Sequence, residues 1–227
     1  MTNLMTYLPQ LASGLSITLI LMLASVSAGL VLAVLMTLCS YSDKFMVRKS
    51  VDVIVFFIRG TPLLVQIFLI YYGIGQFEWI RETAFWVILR EPMVCAIIAL
   101  SLNSACYTTI LLQGAIQSVP RNEIAACHAI GMPKWLAFRR IIFPRAFRIA
   151  IPAYSNEVIM ILKGTSLAST ITLLDLMGIT QQLISETYAT VEFYLIAAGA
   201  YLLLNGIITG IFQGLLKWSA IPQQSSR

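Results

Sequence analysis

The chain has 227 residues, 59% of them hydrophobic and only 11% charged, with a mean hydropathy of +0.84. Soluble domains carry about 25% charged residues, so this composition excludes a water-soluble globule and points to lipid. The net charge of +5 does not mark a nucleic-acid partner, because the basic residues fall in loops between apolar runs, where they orient a membrane protein.

Five apolar runs follow one another along the chain. The first spans about 11–38, inside a stretch without charge from Met1 to Ser42. It exceeds the roughly 20 residues needed to cross ~30 Å of hydrocarbon. A cleaved signal peptide would carry a basic n-region, and no Lys or Arg precedes Lys44, so the run reads as a retained span. The second run covers 51–72 and contains Arg59, with a helix break expected at Gly60-Thr61-Pro62. The third, 94–116, lies in the uncharged stretch from Met93 to Pro120. The fourth and fifth cover 149–169 and 193–216. All are long enough for helices, which satisfy their own backbone groups in lipid. None has the short alternation of an outer-membrane strand.

Lys and Arg set the expected orientation. The first loop holds Lys44, Arg48 and Lys49, and the third holds Arg121, Lys134, Arg139, Arg140, Arg145 and Arg148. The second loop balances Arg81 and Arg90 against Glu78, Glu82 and Glu91, and the loop after the fourth run has only Asp175 and Glu186. Lys217 and Arg227 follow the fifth run. The alternation fits five spans with the N-terminus periplasmic and the C-terminus and odd-numbered loops cytoplasmic.

The third loop, 118–146, has an architecture of its own. Pro120 and Glu123 suit the first turn of a short helix. Ile124, Cys127 and Ile130 recur at helical spacing, Gly131 stops the helix and Pro133 prevents its continuation. A second, basic helix starts at Pro133 with Trp135, Phe138, Ile141 and Ile142 on one stripe, and Pro144 is expected to end or kink it. Such a hairpin can lie on anionic lipid or grip a partner at the membrane surface.

Polar groups inside the runs are candidate sites, because burying them in lipid is costly. Glu157 lies about 12 Å of helix into the fourth run. It can bind a cationic substrate or bond to Asn156, Ser155 or a neighbouring helix. Asn103, Tyr107, Thr108 and Thr109 cluster in the third run, where they can line a cavity or join helices. Arg59 can snorkel or pack, or act as a gating residue, and Lys163 can snorkel outward or repel cations until a delivery protein docks. Cys39, Cys95, Cys106 and Cys127 show no CxxC spacing, and His128 is the only histidine. No metal site, no cofactor and no nucleophile–base set is expected, so no enzymatic activity is either. There is also no G-x-x-x-x-G-K-[ST] phosphate loop for ATP hydrolysis.

The 118–146 loop resembles the E-A-A-x-x-x-G, then I-x-x-P, loop of ABC-importer permeases. The matching positions are Ala125, Ala126, Cys127, Gly131, Ile141 and Pro144, with Ala125 where the family carries Glu. Arg59-Gly-Thr-Pro-Leu-Leu-Val-Gln66, Ser101–Thr109, Pro152–Glu157 and Leu162–Leu167 are similar to polar amino-acid permeases of the histidine/arginine type, most of all to M-type arginine permeases. Ile110 and Gln113 depart from that pattern, where relatives often carry an acid and an Arg.

The resemblance implies an all-α, type I (MetI-like) permease fold over 1–227, with five transmembrane helices and a cytoplasmic coupling helix. It implies uptake of polar, basic amino acids, arginine foremost, across a bacterial inner membrane by alternating access. The implied partners are a second permease chain, two ATP-binding subunits and a periplasmic amino-acid-binding protein, with membrane lipid around them. Substrate contacts are expected from Glu157, Asn156, Asn103, Tyr107 and Thr108. Contacts to the ATPase are expected from Glu123, Ala125, Ala126, Cys127, Gly131 and Pro144. The alternative is a stand-alone secondary amino-acid transporter, which would need internal repeats that five spans do not divide into.

Overall fold

The computed structural model describes residues 4–219, and among them the chain is helical with no strand. Arg227 and the two chain ends, on which part of the 1–227 domain assignment and its orientation rests, lie outside these residues.

Helix α1 (Leu8–Ser40) is followed by α2 (Phe45–Gly60) and α3 (Leu63–Phe68), the last extended by a π turn at Leu69–Gly73 and a 3-10 turn at Ile74–Gln76. Two single-turn helices, α4 (Glu78–Arg81) and α5 (Trp86–Leu89), lead to α6 (Pro92–Gln117). The basic loop forms α7 (Arg121–Ala129) and α8 (Lys134–Ala137), then passes through a π turn, Phe138–Ile142, into α9 (Phe143–Thr165). A 3-10 segment at Ser166–Ile171, α10 (Leu176–Thr187) and α11 (Thr190–Ser219) complete the chain. Three helices, Leu8–Ser40, Pro92–Gln117 and Thr190–Trp218, are long and apolar enough to cross a membrane. The number becomes five if each bent pair counts as one span: Phe45–Gly60 with Leu63–Gln76, bent by 107°, and Lys134–Ile171 with Leu176–Thr187, bent by 49°.

Helices α1 and α6 form the central pair. The buried positions of α1 include Leu11, Gly14, Thr18, Leu21, Ser25, Gly29, Ala33 and Thr37, spaced three or four apart on one face. Most are small, as are Ala96, Ala99, Ser101, Ser104, Ala105 and Thr108 opposite them on α6. Where lipid is as apolar as leucine, helices associate by close backbone approach, and small residues permit it. A Cβ on Gly29 would sit 2.9 Å from Ser104 Cβ and 3.1 Å from the Ser101 carbonyl oxygen. The hydroxyls of Ser25, Ser101 and Thr108 find no hydrogen-bond partner among the described residues. Their small volume is what the seam uses, and Thr109 Oγ1 adds a long bond across it to the Ala33 carbonyl at 3.5 Å.

Around this pair, Ile67 of α3, Val158, Ile161 and Leu162 of α9, and Leu204 and Ile208 of α11 pack on Leu21, Met22, Cys95 and Leu100 in one core. The outward faces are as apolar as the inward ones, with Ile20, Leu23, Val31 and Leu38 of α1 and Leu195, Leu202 and Ile211 of α11 exposed. A helix apolar all round belongs in lipid or in a large core.

Two expectations are corrected. The stretch after the fourth run, read as a loop, contains α10. Buried Asp175 caps that helix by accepting from Gly178 N at 2.9 Å, and Leu176 N donates to Thr18 Oγ1 of α1 at 3.0 Å. Of the end or kink expected at Pro144, the structure shows no end. The helix runs on from Lys134 to Ile171, and a wider π turn, with Phe143 N bonded to the Phe138 carbonyl, comes just before Pro144 and loosens the ladder where the proline cannot donate.

Gly29→Leu is expected to part α1 from α6 and to destabilise the protein by about 1–3 kcal/mol, lowering its melting temperature in detergent. Gly114→Leu, with nothing within 4 Å of its built Cβ, is expected to leave that temperature unchanged.

Candidate functional site

The break after α2 organises the site. Gly60 closes α2, Thr61 is extended at φ −115°, ψ 145°, and Pro62 precedes Leu63 at the start of α3. The broken helix leaves carbonyls without intrahelical partners. Gln66, buried one turn into α3, answers them. Its Nε2 lies 2.6 Å from the Ile58 carbonyl, 3.1 Å from the Thr61 carbonyl and 2.9 Å from Thr61 Oγ1. Its Oε1 accepts from Asn103 Nδ2 of α6 at 3.1 Å. The side chain therefore clasps the break and ties it to α6.

Beside this clasp is a cavity of about 300 Å³. Thr61, Pro62 and Leu63 supply one wall, Asn103 and Tyr107 of α6 a second, and Glu157 and Met160 of α9 a third. Asn103 and Tyr107 stand four apart and so share a helix face, turned from the seam with α1. Glu157 is half-buried, and Ser104 and Arg59 lie within electrostatic reach of its carboxylate. The Arg59 guanidinium carbon sits 4.9 Å from the centroid of the Tyr107 ring, a cation–π packing.

Of the five residues expected at the substrate, the structure brings Glu157, Asn103 and Tyr107 into this cavity. Asn156 lines a separate cavity of about 260 Å³ between α9 and α11, with Ser155, Thr209 and Gln213. Thr108 is fully buried in the α6 seam. Each is one residue, hence about 100° of helix, from a neighbour that does face the cavity.

The basic loop builds a second feature. Gly131 has φ +70°, a left-handed conformation that glycine adopts without penalty. Gly131 N bonds to the His128 carbonyl at 3.0 Å and Met132 N to the Cys127 carbonyl at 2.9 Å, the two bonds of a Schellman closure. Glu123, in the first turn of α7, pairs with Arg145 at 2.6 Å, linking the short helix to the start of α9. Ala125, Ala126 and Gly131 are exposed, Pro144 is half-buried and Cys127 is buried. A shallow groove of about 320 Å³ runs along this helix past Glu123, Ala126, Cys127, Ile130, Met132 and Ile141. Ile130, expected to lie along the apolar side, is 75% exposed at its rim.

Residues 25–218 match the family of binding-protein-dependent transport system inner membrane components. The chain belongs to that family. It is 44% identical to the octopine transport system permease protein OccM of Rhizobium meliloti, over 94% of this chain and 87% of that protein. It is 45% identical to the arginine ABC transporter permease protein ArtM of Escherichia coli K12, over 89% and 91% of the two chains. Its fold superposes on a crystal structure of an amino acid ABC transporter with histidines, with a TM-score of 0.86 and 29% identity, covering 95% of this chain and 96% of that one. The MetNI methionine transporter in an inward-facing conformation shares the fold, with a TM-score of 0.77, 16% identity and 97% and 100% coverage. The fold is therefore the all-helical, MetI-like one of ABC permeases, and the chain is a transport permease embedded in the membrane through its apolar helices.

In this permease, sequence reasoning overlooked Gln66. An amide in an apolar run four residues after a proline is a costly placement, and a broken helix needing donors gives it a reason. Gln66→Leu is expected to cost about 1–3 kcal/mol by stranding the Thr61 carbonyl and leaving the Ile58 carbonyl only the longer bond from Thr61 Oγ1 at 3.3 Å. The check is faster hydrogen exchange confined to 58–66 in the purified complex.

Proposed function

We infer that this chain is the permease subunit of an ATP-binding-cassette importer that carries polar, basic amino acids across a bacterial inner membrane by alternating access. Arginine is the first substrate by this reading, with histidine, lysine and ornithine as further ones. The observation that carries it is the Glu157 carboxylate in a cavity walled by Tyr107 and Asn103 at a helix break. A carboxylate kept from water is costly unless a cation meets it. An arriving guanidinium can pair with it bidentately, and an ammonium can pair as a point charge. The names of the arginine and octopine permeases support the same substrate class.

The reading includes five spans, an N-terminus in the periplasm and a C-terminus in the cytoplasm. It also includes a second permease chain, two ATP-hydrolysing subunits docked on the α7 helices, and a periplasmic binding protein that delivers substrate. Glu123, Ala125, Ala126, Cys127, Gly131 and Pro144 form or support the docking element. Glu123 does so indirectly, since its carboxylate is engaged by Arg145. Nothing favours a stand-alone secondary transporter, because the family is built around binding-protein partners.

The deciding experiment is uptake by vesicles reconstituted with all subunits, with arginine, ornithine, lysine and histidine in competition. Glu157→Gln is expected to lower uptake of these cations by about tenfold or more, equivalent to at least ~1.4 kcal/mol, with subunit co-purification unchanged. Unaltered uptake removes Glu157 from the site. Gly131→Val, which forces a β-branched residue to φ +70°, is expected to leave ATP hydrolysis running while uptake falls. Normal coupling in that variant refutes the lever role of α7.

A further inference from the structure

The clasp at the break does more than satisfy carbonyls. A primary amide has two unlike ends, a donating NH2 and an accepting oxygen, and its neighbours fix which end points where. The Ile58 and Thr61 carbonyls can only accept, and they lie 2.6 Å and 3.1 Å from one end of the Gln66 amide. That end is therefore the NH2. The Gln66 oxygen is then turned toward α6, and the group that meets it at 3.1 Å has to donate, so Asn103 presents Nδ2 to Gln66. The polarity of the broken helix is passed on through two amides, and Asn103 is left with its oxygen on the far side.

That oxygen is open. Among the described residues the bond to Gln66 is the one hydrogen bond of the Asn103 side chain, and Asn103 Oδ1 is not one of the buried polar atoms left without a partner. Asn103 lines the same cavity of about 300 Å³ as Glu157. Thr61, on a third wall, spends its hydroxyl proton within its own segment, on the Phe57 carbonyl at 3.0 Å. An ionised Glu157 and the Asn103 oxygen are thus both acceptors. A guanidinium answers such a pair well, because it holds five N–H donors in one plane. Two of them can meet a carboxylate side by side, which leaves donors on a second edge.

We propose that Gln66 is a positioning residue that locks the Asn103 amide with its oxygen toward the cavity, where it accepts from the second edge of a guanidinium whose first edge Glu157 holds. The inference rests on the reading of Glu157 as the cation site. A rotated amide would turn its NH2 on the cation and repel it, so the clasp at the break keeps the cavity selective for side chains rich in donors.

The test uses the complete permease–ATPase complex in lipid nanodiscs, without ATP and without binding protein, so that the delivery step does not set the specificity. Binding of arginine and of citrulline, whose ureido oxygen replaces one guanidinium NH2, is measured by calorimetry. The ligand-free melting temperature of each variant is the folding control. Asn103→Leu is expected to weaken arginine by about tenfold, the loss of one hydrogen bond to a charged group, and to leave citrulline unchanged, since that ligand brings an acceptor to an acceptor. Gln66→Met leaves Asn103 in place but frees its amide to turn, and is expected to weaken arginine by about threefold or more. A carboxylate offers oxygen whichever way it turns. Asn103→Asp added to Gln66→Met is therefore expected to return arginine to within about threefold of the unmutated complex, while hydrogen exchange at 58–66 stays fast. Binding restored over an unrepaired break separates positioning from support of the fold. Unaltered arginine affinity in Asn103→Leu, equal loss of arginine and citrulline there, or no restoration by Asn103→Asp overturns the positioning role. An unchanged arginine-to-citrulline ratio in Glu157→Gln overturns the cation site instead.

Discussion

The close approach of α1 to α6 sets the positions of everything else. Ser25, Gly29, Ala33 and Thr37 on one helix and Ser101, Ser104, Ala105 and Thr108 on the other leave no bulk between the two backbones. In lipid this contact cannot draw on water release and must come from packing. Its consequence for function is angular. With Ser104 and Thr108 facing α1, Asn103 and Tyr107 are turned about 100° away on the same helix, toward the break between α2 and α3. The seam that holds the fold thus aims the polar face of α6 into the cavity.

The cavity itself is made of interrupted helix. A continuous α2 would bury Thr61 and Leu63 in its own hydrogen-bond ladder and present no backbone to the interior. Breaking it would strand carbonyls, which in a membrane costs several kcal/mol each. The Gln66 clasp supplies donors to Ile58 and Thr61, and Asn103 satisfies the clasp in turn. Asn103 is therefore both a wall of the cavity and a brace for the break. Tyr107 also serves twice, lining the cavity and meeting the Arg59 guanidinium carbon 4.9 Å from its ring centroid.

Much of this was legible in the sequence, because lipid imposes long apolar runs and a basic third loop. The Gly131 stop and the short helix before it follow from local backbone chemistry alone, as does the break at Gly60-Thr-Pro62. What escaped is non-local. Helix α10 depends on the buried Asp175 cap and on Leu176 N reaching Thr18 Oγ1, 158 residues earlier in the chain. The π turn before Pro144 is a register adjustment that no propensity scale encodes. Gln66 could only be understood once its acceptors were seen. The grouping of Asn156 with Glu157 and of Thr108 with Tyr107 joins residues that the structure sets on different helix faces. Adjacent residues on a helix do not share a face, and periodicity applied strictly would have separated them.

Helix α9 joins the two functional features. Its first turn carries Arg145, bonded to Glu123 of the short cytoplasmic helix, and Glu157 stands twelve residues further on, about 18 Å along the same axis. Pro152 interrupts the hydrogen-bond ladder between the two, so a displacement of α7 in the proposed mechanism would enter α9 at its root and reach the carboxylate through that weakened turn. The opposite wall, with the clasped break and Asn103, hangs from α3 and α6 and does not share that root. Movement of α9 relative to α6 would therefore change the gap between Glu157 and Asn103 directly. On the proposed reading that gap belongs to the substrate cavity, so the wall that meets the cation is also the wall that the short helix would move.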